Sequence, residues 1–474
     1  MTTPNLLVIM SDEHQARALS CAGHFAQTPN LDALAAHGTR FTNAYTPCAI
    51  CVPARASFAT GLPVHQTRLW DNAMPYHGQI PGWGHALQDA GVPVESIGKL
   101  HYRDAKDPAG FDVEHIPMMV KDGVGMVWGS LRRADERVEM PVRMLGDYIG
   151  PGDSAYTDYD AAVTDRTIEW LGAREHEEPW CLYVGLVAPH FPLVVPQEFM
   201  DLYPAKSLPP TKLRPADGYR RHPWVEAQFG VDRSEDLFTD EAERVAAIRA
   251  YYGLVSWMDH NVGRILSALE AAGLTDATNV IYTSDHGDNV GARGMWGKST
   301  LYQESAAIPM IMAGPDVGVG VCETPMDLLD LSATIAEHFG TSLPASPGRS
   351  LYRIASEPDD PERPVLSQYH AVGAVSGAYM LRWGRWKYHH YVGFAPELFD
   401  LDADPEETND LAADPAYAER LAACEVKLRE MVDPEAADAQ AFADQDAMIA
   451  VYGGRDAALK LGAPAATPPP ELGQ

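Results

Sequence analysis

The sequence has little positive charge and no long apolar run. Its 36 lysine and arginine residues stand against 66 aspartate and glutamate residues, and the formal net charge is −30. Nucleic acid is therefore not an expected partner, because its phosphates are bound by clustered basic side chains. No stretch reaches the roughly 20 apolar residues of a membrane-spanning helix, so we expect no membrane segment. A few local cations can still bind a small anion, since charges beyond ~8 Å are largely screened.

Cysteine is also scarce, with six residues in 474, as is typical of a reducing compartment. Cys48 and Cys51 form one C-x-x-C pair, which is compatible with thioredoxin-type redox chemistry, but no second pair completes a structural zinc site. The N-terminus has no basic segment ahead of the apolar residues 5–10. We therefore expect a first strand there, no signal peptide and a cytoplasmic protein.

Apolar runs alternate with helical patterns along the first 355 residues, and no internal repeat is visible. A long amphipathic pattern at 240–272 predicts a helix, while residues 102–176 and 192–225 are expected to be rich in loops. The alternation predicts an α/β fold with a mostly parallel sheet. The runs that predict strands are residues 5–10, 92–98, 180–187, 279–283 and 308–312.

A change of composition near 355–365 divides the chain. We predict a large α/β domain at 1–355, and a small antiparallel sheet with a helix at 356–432. The remaining tail, 433–474, is rich in Ala and Asp and contains three consecutive prolines. Such a segment cannot form a core alone, so we expect an arm on a neighbouring subunit, or a disordered tail.

Polar side chains follow four of the predicted strands at their carboxyl ends. Ligands of open α/β sheets lie beyond these ends, so we expect the four sets to meet. One Asp after a strand is usually a turn or cap residue, whereas four such sets indicate a site. The sets are Asp12 with Glu13, Lys99 with His101, His190, and Asp285 with His286. Carboxylates with one imidazole suit Ca²⁺ or Mn²⁺ better than zinc.

Residues 51–61 predict a short helix that begins at Cys51. Proline is tolerated at a helix start, and Gly61 can close the helix in the left-handed conformation. Free N–H groups and a partial positive charge favour an anion at this start, and Arg55 lies one turn from Cys51 on the same face. The structural alternative is a buried cysteine at a capped helix start.

The stretch Cys51-Val52-Pro53-Ala54-Arg55 resembles the Cys-x-Pro-x-Arg signature of the formylglycine-dependent sulfatases, although many relatives carry Ser in place of Ala54. Asp404-Pro405-Glu406 to Leu411 resembles their C-terminal pattern. The resemblance covers about residues 5–411. It is closest to the choline-sulfatase-like branch and its phosphonate monoester hydrolase relatives, through Trp70-Asp71-Asn72-Ala73 and Gly98-Lys99-Leu100-His101. It implies an alkaline phosphatase-like fold, with a large mostly parallel sheet sandwiched by helices and a small C-terminal antiparallel sheet.

The resemblance implies hydrolysis of sulfate esters through a formylglycine made from Cys51 and one divalent metal ion. A hydrated formylglycine would bind the metal and attack sulfur, and a plain thiol would be mismatched with hard donors. Arg55 and Lys99 would hold this group, and His101 would remove a proton from it. His190 and Lys298 would bind the sulfate. The implied metal ligands are Asp12, Glu13, Asp285, His286 and residue 51. Glu13 stands where relatives have Asp or Gln. The candidates for binding the rest of the substrate are Asn72, Trp128 and His370.

Three functions remain open at this level. The first is a sulfuric ester hydrolase, the second a phosphonate monoester or phosphodiester hydrolase that uses the same site, and the third a catalytically silent binding protein. The resemblance implies a small anionic ester as substrate and a formylglycine-generating enzyme as a partner. It also implies a homo-oligomer, a dimer or tetramer, formed through the C-terminal extension.

Overall fold

The computed structural model describes residues 3–140, 143–174, 179–463 and 465–471. The predicted segments 1–355 and 433–474 begin and end at residues 1 and 474, which lie outside the described residues. The strand Asn5–Asp12 is buried along its whole length. Its side chains alternate between two hydrophobic clusters, with Leu6 and Val8 in one and Leu7 in the other. Since successive side chains of a strand point to opposite faces, the sheet is covered on both sides.

This strand lies inside an eight-stranded sheet in which all strands but Met310–Ala313 run in the same direction. The order across the sheet is Gly320–Cys322, Gly38–Phe41, Met310–Ala313, Thr278–Ser284, Asn5–Asp12, Cys181–Pro189, Val94–Lys99 and Val113–Met118. The expected mostly parallel sheet is therefore confirmed.

Helices cover both faces of the sheet. On one face, Glu241–Ala271 packs against Ala155–Gly172 and against the strand Cys181–Pro189. On the other face, Leu328–His338 packs against Cys51–Thr60. The other α-helices among the described residues are Pro29–Ala36, Val64–Thr67, Trp83–Asp89, Gln197–Asp201, Pro223–Phe229, Gln303–Ala306, Leu351–Ser356, Ala418–Met431, Pro434–Val451 and Arg455–Ala458. Two short strand pairs join Ala44–Tyr45 to Met326–Asp327 and Gly150–Pro151 to Val194–Val195. No helix within the described residues is both long and apolar enough to cross a membrane.

The segment 102–176, expected to be rich in loops, contains an 18-residue helix, Ala155–Gly172, and the edge strand Val113–Met118. The helix begins at a capping box in which the Ser154 side chain accepts the N–H of Thr157. Its buried face includes Tyr159 and Trp170. Interleaved Asp and Thr residues obscure the apolar period of this helix in the sequence, although several of them are buried.

The predicted C-terminal antiparallel sheet is confirmed and has four strands: Val365–Tyr369, Ala378–Trp383, Trp386–Tyr391 and Glu397–Asp400. It shares a hydrophobic cluster with the segment that precedes the Cys51–Thr60 helix, because Tyr45 and Ile50 belong to the same cluster as Tyr388 and Leu398. The small sheet therefore supports the chain directly in front of Cys51.

The described part of the tail folds onto its own chain and contains the helix Pro434–Val451, so it differs from the disordered segment, one of the two expectations. An arm on a neighbouring subunit stays a prediction. The helix Pro434–Val451 is fixed by an ion pair between Asp438 and the buried Arg132, 3.0 Å long. Gln445 donates to Asp71 Oδ2 at 2.6 Å and to the His370 carbonyl at 2.9 Å. The tail needs no core of its own, since these polar contacts attach it to Arg132 and Asp71 of the large domain and to His370 beside the small sheet.

Two glycines test the packing between the strands Val94–Lys99 and Cys181–Pro189. Gly98 and Gly185 lie opposite each other on these strands. A Cβ at Gly185 would lie 2.1 Å from the Lys99 carbonyl oxygen. Gly185→Ala should therefore lower the free energy of unfolding by about 1–3 kcal/mol, as measured by urea denaturation. Gly172→Ala is the control, because its Cβ would meet no atom of the described residues within 4 Å. This substitution should leave stability unchanged or raise it by up to ~1 kcal/mol. Equal stability of both variants would contradict this packing.

Candidate active site

The carboxyl ends of neighbouring strands bring the predicted acids together. Asn5–Asp12 pairs with Thr278–Ser284 on one side, where Ser11 lies opposite Ser284, and with Cys181–Pro189 on the other, where Asp12 lies opposite Pro189. Asp285 and His190 directly follow these two partner strands. Asp12, Asp285 and His190 thus lie at one edge of the sheet because of the strand register.

The Cys51–Thr60 helix faces this edge with its N-terminus. Ile50 before it is extended, and the helix ends at Gly61, whose φ is 69°, as the sequence predicts. All ten helix residues are buried. The first-turn N–H of Val52 donates to Asn72 Oδ1 at 3.2 Å, so Asn72 lies beside the start of the helix.

Arg55 binds the two acids from this helix. Its Nε donates to Asp285 Oδ2 at 2.8 Å, and its Nη2 donates to Asp12 Oδ2 at 3.1 Å. Its Nη1 donates to the Tyr183 hydroxyl at 2.8 Å and to the Lys99 carbonyl at 3.0 Å. A guanidinium that is 1% exposed needs such partners, because an unpaired buried charge is strongly unfavourable. Arg55 therefore fixes the positions of both carboxylates.

Four side chains converge on one point. The donor atoms of Asp12, Cys51, Asp285 and His286 all lie within 4.8 Å of one another. Cys51 Sγ lies 3.2 Å from His286 Nε2 and 3.7 Å from Asp12 Oδ1. Burial opposes ionisation of Asp12, but Lys99, whose Nζ is 2.7 Å away, and the neighbouring cations hold the pKa of Asp12 well below its usual value. An ionised carboxylate is thus available as a metal ligand.

Glu13 belongs to a second, overlapping group with Asp12 and His190. It is fully buried with a positive φ of 73°, and burial raises the pKa of its carboxyl well above the usual value. Its Oε2 lies 3.3 Å from Lys298 Nζ, whereas its Oε1 has no hydrogen-bond partner within the described part of the chain. A buried carboxylate oxygen without a partner is unfavourable. Glu13 shares its donor group with Asp12 and His190 and not with Cys51, Asp285 and His286, so Asp12 links Glu13 to that cluster. Carboxylate oxygens suit a hard divalent cation.

The Cys51 thiol is unsuited to nucleophilic attack as it stands. Burial, with the nearby Asp12 carboxylate, raises the pKa of the thiol to about 12. Since the thiolate is the reactive form, an unmodified Cys51 is protonated and unreactive at neutral pH.

Lys298 and His190 form a hydrogen-bonded pair beside Glu13. His190 Nδ1 lies 2.6 Å from the Phe191 carbonyl, which only accepts, so Nδ1 carries the proton and donates. Lys298 Nζ then donates to His190 Nε2 at 2.6 Å. Burial and the Lys298 charge hold the pKa of His190 well below its usual value. The neutral imidazole and the ammonium group therefore face the cleft as a pair.

His101 lies across the cleft with a φ of 59°. Its Nε2 is 2.8 Å from Thr467 Oγ1, and its Nδ1 has no hydrogen-bond partner in the described part of the chain. Burial and the nearby Lys99 charge hold the pKa of His101 well below its usual value. His101 is therefore neutral, as a proton acceptor must be.

The cleft beyond Cys51 is mostly apolar. Asn72 lines it, but neither Trp128 nor His370 does. The structure thus differs from the expectation for these two residues: Trp128 Nε1 donates to the Ala463 carbonyl at 3.3 Å, and His370 is 0% exposed and packs edge-on against Trp70. The residues that line the cleft include Val120, Met126, Met140, Met144, Phe191, Gln228, Val231, Asp232, Met295, Trp296, Val372 and Thr467.

Three residues of the site are absent from the sequence predictions. Tyr183 lies in a buried strand and accepts a hydrogen bond from Arg55. A tyrosine in an apolar strand could have indicated such a contact, because buried tyrosine hydroxyls usually have a hydrogen-bond partner. Asp232 lines the cleft, and burial raises the pKa of its carboxyl to about 6. Thr467 reaches His101 over a separation of 366 residues, and no local pattern indicates such a contact.

Comparison with known proteins identifies the family of this chain. A family model described as "Sulfatase" matches residues 4–341, and one described as "N-sulphoglucosamine sulphohydrolase, C-terminal" matches residues 291–433. The choline-sulfatase of Rhizobium meliloti (strain 1021) is 33% identical over 433 residues, which cover 88% of this chain and 84% of the relative. Arylsulfatase K of Mus musculus is 28% identical over 91% of this chain and 79% of its own length.

Solved structures agree on the fold. The phosphonate monoester hydrolase of Agrobacterium radiobacter superposes with a TM-score of 0.72 at 23% identity, over 90% of this chain and 95% of that one. Since the "Sulfatase" model covers most of the chain, including the Cys51 helix and the strand ends with their acids, this chain belongs to the sulfatase family, whose members hydrolyse sulfate esters.

Proposed function

We propose that this chain hydrolyses sulfate esters with a formylglycine made from Cys51 and with one divalent cation, Ca²⁺ or Mn²⁺, held by Asp12, Glu13, Asp285 and His286. The observation that carries the proposal is the position of Cys51. It begins a buried helix among hard donors, 3.2 Å from His286 and 3.7 Å from Asp12. A protonated thiol has no function in such a donor set, whereas the oxygens of a hydrated aldehyde match it.

The cation supplies Lewis-acid activation, and the hydrated aldehyde supplies an oxygen nucleophile. Arg55 and Lys99 hold residue 51 and the carboxylates in place. Lys298 donates to sulfate oxygens and stabilises the charge that develops on them.

Two histidines have separate roles in this proposal. His190 is held by its Nδ1 donation to the Phe191 carbonyl and accepts a hydrogen bond from Lys298 at Nε2. It thus holds the Lys298 ammonium group beside the sulfate, where this group donates a proton to the departing alcohol oxygen. His101 accepts a proton at Nδ1, which has no hydrogen-bond partner among the described residues, when the enzyme returns to its resting state. Asn72, fixed by the Val52 N–H, contacts the substrate beside residue 51.

The cellular setting follows from the same proposal. The six cysteines are free, which is typical of a reducing compartment, so we place the protein in the cytoplasm together with a formylglycine-generating enzyme as its partner. A dimer or tetramer stays a prediction from the family resemblance.

Cys51 provides the first test. In protein made with a formylglycine-generating enzyme, the peptide that contains residue 51 should be about 18 Da lighter than its cysteine form, as read by mass spectrometry. Cys51→Ala should abolish turnover of 4-nitrophenyl sulfate because it removes the nucleophile. Cys48→Ala is the matched control and should stay active, since Cys48 does not line the cleft. Turnover by the Cys51→Ala variant would contradict the mechanism.

Metal binding provides the second test. After chelation, adding Ca²⁺ or Mn²⁺ should raise the unfolding temperature, because a ligand at 100 times its dissociation constant stabilises the folded state by about 2.7 kcal/mol. Asp285→Asn should lose most of this shift. Asp456→Asn, with a side chain 95% exposed, should keep it. A shift that is equal in the two variants would place the ion elsewhere.

The alternative is a phosphonate monoester or phosphodiester hydrolase that uses the same site, favoured by the shared fold with the Agrobacterium enzyme. Steady-state kinetics on 4-nitrophenyl sulfate and on a 4-nitrophenyl phenylphosphonate should give at least a tenfold higher kcat/KM for the sulfate, equivalent to about 1.4 kcal/mol. The reverse order would favour the alternative.

A further inference from the structure

The C-terminal strap, the described residues within 462–470, closes one side of the active-site cleft. Ala463, Ala465, Ala466 and Thr467 line the cleft. Tyr156 donates its hydroxyl to the Thr467 carbonyl at 2.5 Å, and Trp128 donates to the Ala463 carbonyl at 3.3 Å. Thr467 is only 8% exposed. The strap is thus attached at two points and brings one side-chain hydroxyl to His101.

The contact has a consequence for the histidine tautomer. Thr467 Oγ1 lies 2.8 Å from His101 Nε2, while His101 Nδ1 has no partner within the described residues. A neutral imidazole carries its proton on one nitrogen only. If Nε2 donates to Thr467, then Nδ1 presents a free lone pair, which is the form that a proton acceptor needs.

The strap is built to hold this position. Thr467 precedes Pro468, Pro469 and Pro470, which restrict the backbone to extended conformations and lower the entropy lost on ordering. Gly462 has a φ of 79°, and a Cβ there would lie 1.3 Å from the Gly125 carbonyl oxygen. Only glycine allows this close approach, so the strap enters the cleft over the Gly125 backbone.

We propose that Thr467 is a positioning residue, which accepts a hydrogen bond from His101 Nε2 and so keeps Nδ1 free to accept a proton. This inference rests on the role proposed above for His101. It makes the C-terminal strap a part of the active site, although it lies more than 360 residues from His101 along the chain.

Thr467→Val tests the hydroxyl alone, since valine keeps the shape and the β-branch. We expect kcat for 4-nitrophenyl sulfate to fall about 10–100-fold, as for other hydrogen bonds that orient a functional histidine, with KM unchanged. Thr467→Ser should restore most of the activity. If His101 acts after the alcohol leaves, stopped-flow traces of Thr467→Val should show a rapid first turnover followed by a slow steady state. An unchanged kcat in Thr467→Val, or no recovery in Thr467→Ser, would overturn the proposal.

A readout independent of turnover uses unconverted, metal-free protein. Two-bond ¹H–¹⁵N spectra of ¹⁵N-histidine-labelled protein, with His101 assigned from a His101→Gln variant, should show the Nε2–H form in the wild type. The Thr467→Val variant should show a mixture of tautomers or the Nδ1–H form. A wild type with Nδ1 protonated would overturn the proposal, because its acceptor would then be blocked.

Gly462→Ala displaces the strap while keeping the hydroxyl, and it should reproduce the kcat loss of Thr467→Val. Gly454→Ala is the matched control, with a similar φ of 85° but no atom within 4 Å of its Cβ. It should keep wild-type kcat. Loss of activity in Gly454→Ala equal to that in Gly462→Ala would remove the support for a specific strap contact.

A His101→Gln variant distinguishes the proposed role of His101 from the positioning role of Thr467. If His101→Gln is inactive while Thr467→Val is normal, the strap inference fails and the proposed function stands. If His101→Gln retains full activity, the role of His101 itself is wrong, and the strap inference falls with it.

Discussion

One buried guanidinium holds the site together. Arg55 joins the first residue beyond one central strand, Asp285, to the last residue of its neighbour, Asp12, and reaches them from the Cys51 helix. Removing either partner would leave a charge buried without compensation, which costs several kcal/mol. The same bridge sets the distance between the nucleophile position and the donor carboxylates, so stability and chemistry depend on one interaction.

The wider site places charges of both signs next to one another at a buried edge of the sheet. Three acids, Asp12, Glu13 and Asp285, face three cations, Arg55, Lys99 and Lys298. This local balance explains how a chain with a net charge of −30 can hold an anionic ester, because surface charges more than ~8 Å away are largely screened. Burial makes each local interaction stronger than it would be in water.

The sequence predicts the parallel sheet and the acids at its edge, but it does not predict one long helix or the contacts of the C-terminal strap. Parallel strands end at one edge, so the meeting of Asp12 and Asp285 could be predicted. The helix Ala155–Gly172 could not, because its Asp and Thr residues hide the apolar period. His370 and the strap depend on contacts across most of the chain, and Thr467 carries no local signal for its partner. Sequence patterns report local periodicity, whereas these features are set by tertiary packing.

Anomalous diffraction from crystals of the converted enzyme grown with Mn²⁺ can locate the hard cation that we propose at residue 51. We expect one strong peak among the carboxylate oxygens of Asp12, Glu13 and Asp285, within bonding distance of an oxygen on residue 51. An active enzyme whose only metal peak lies away from these carboxylates would contradict this proposal.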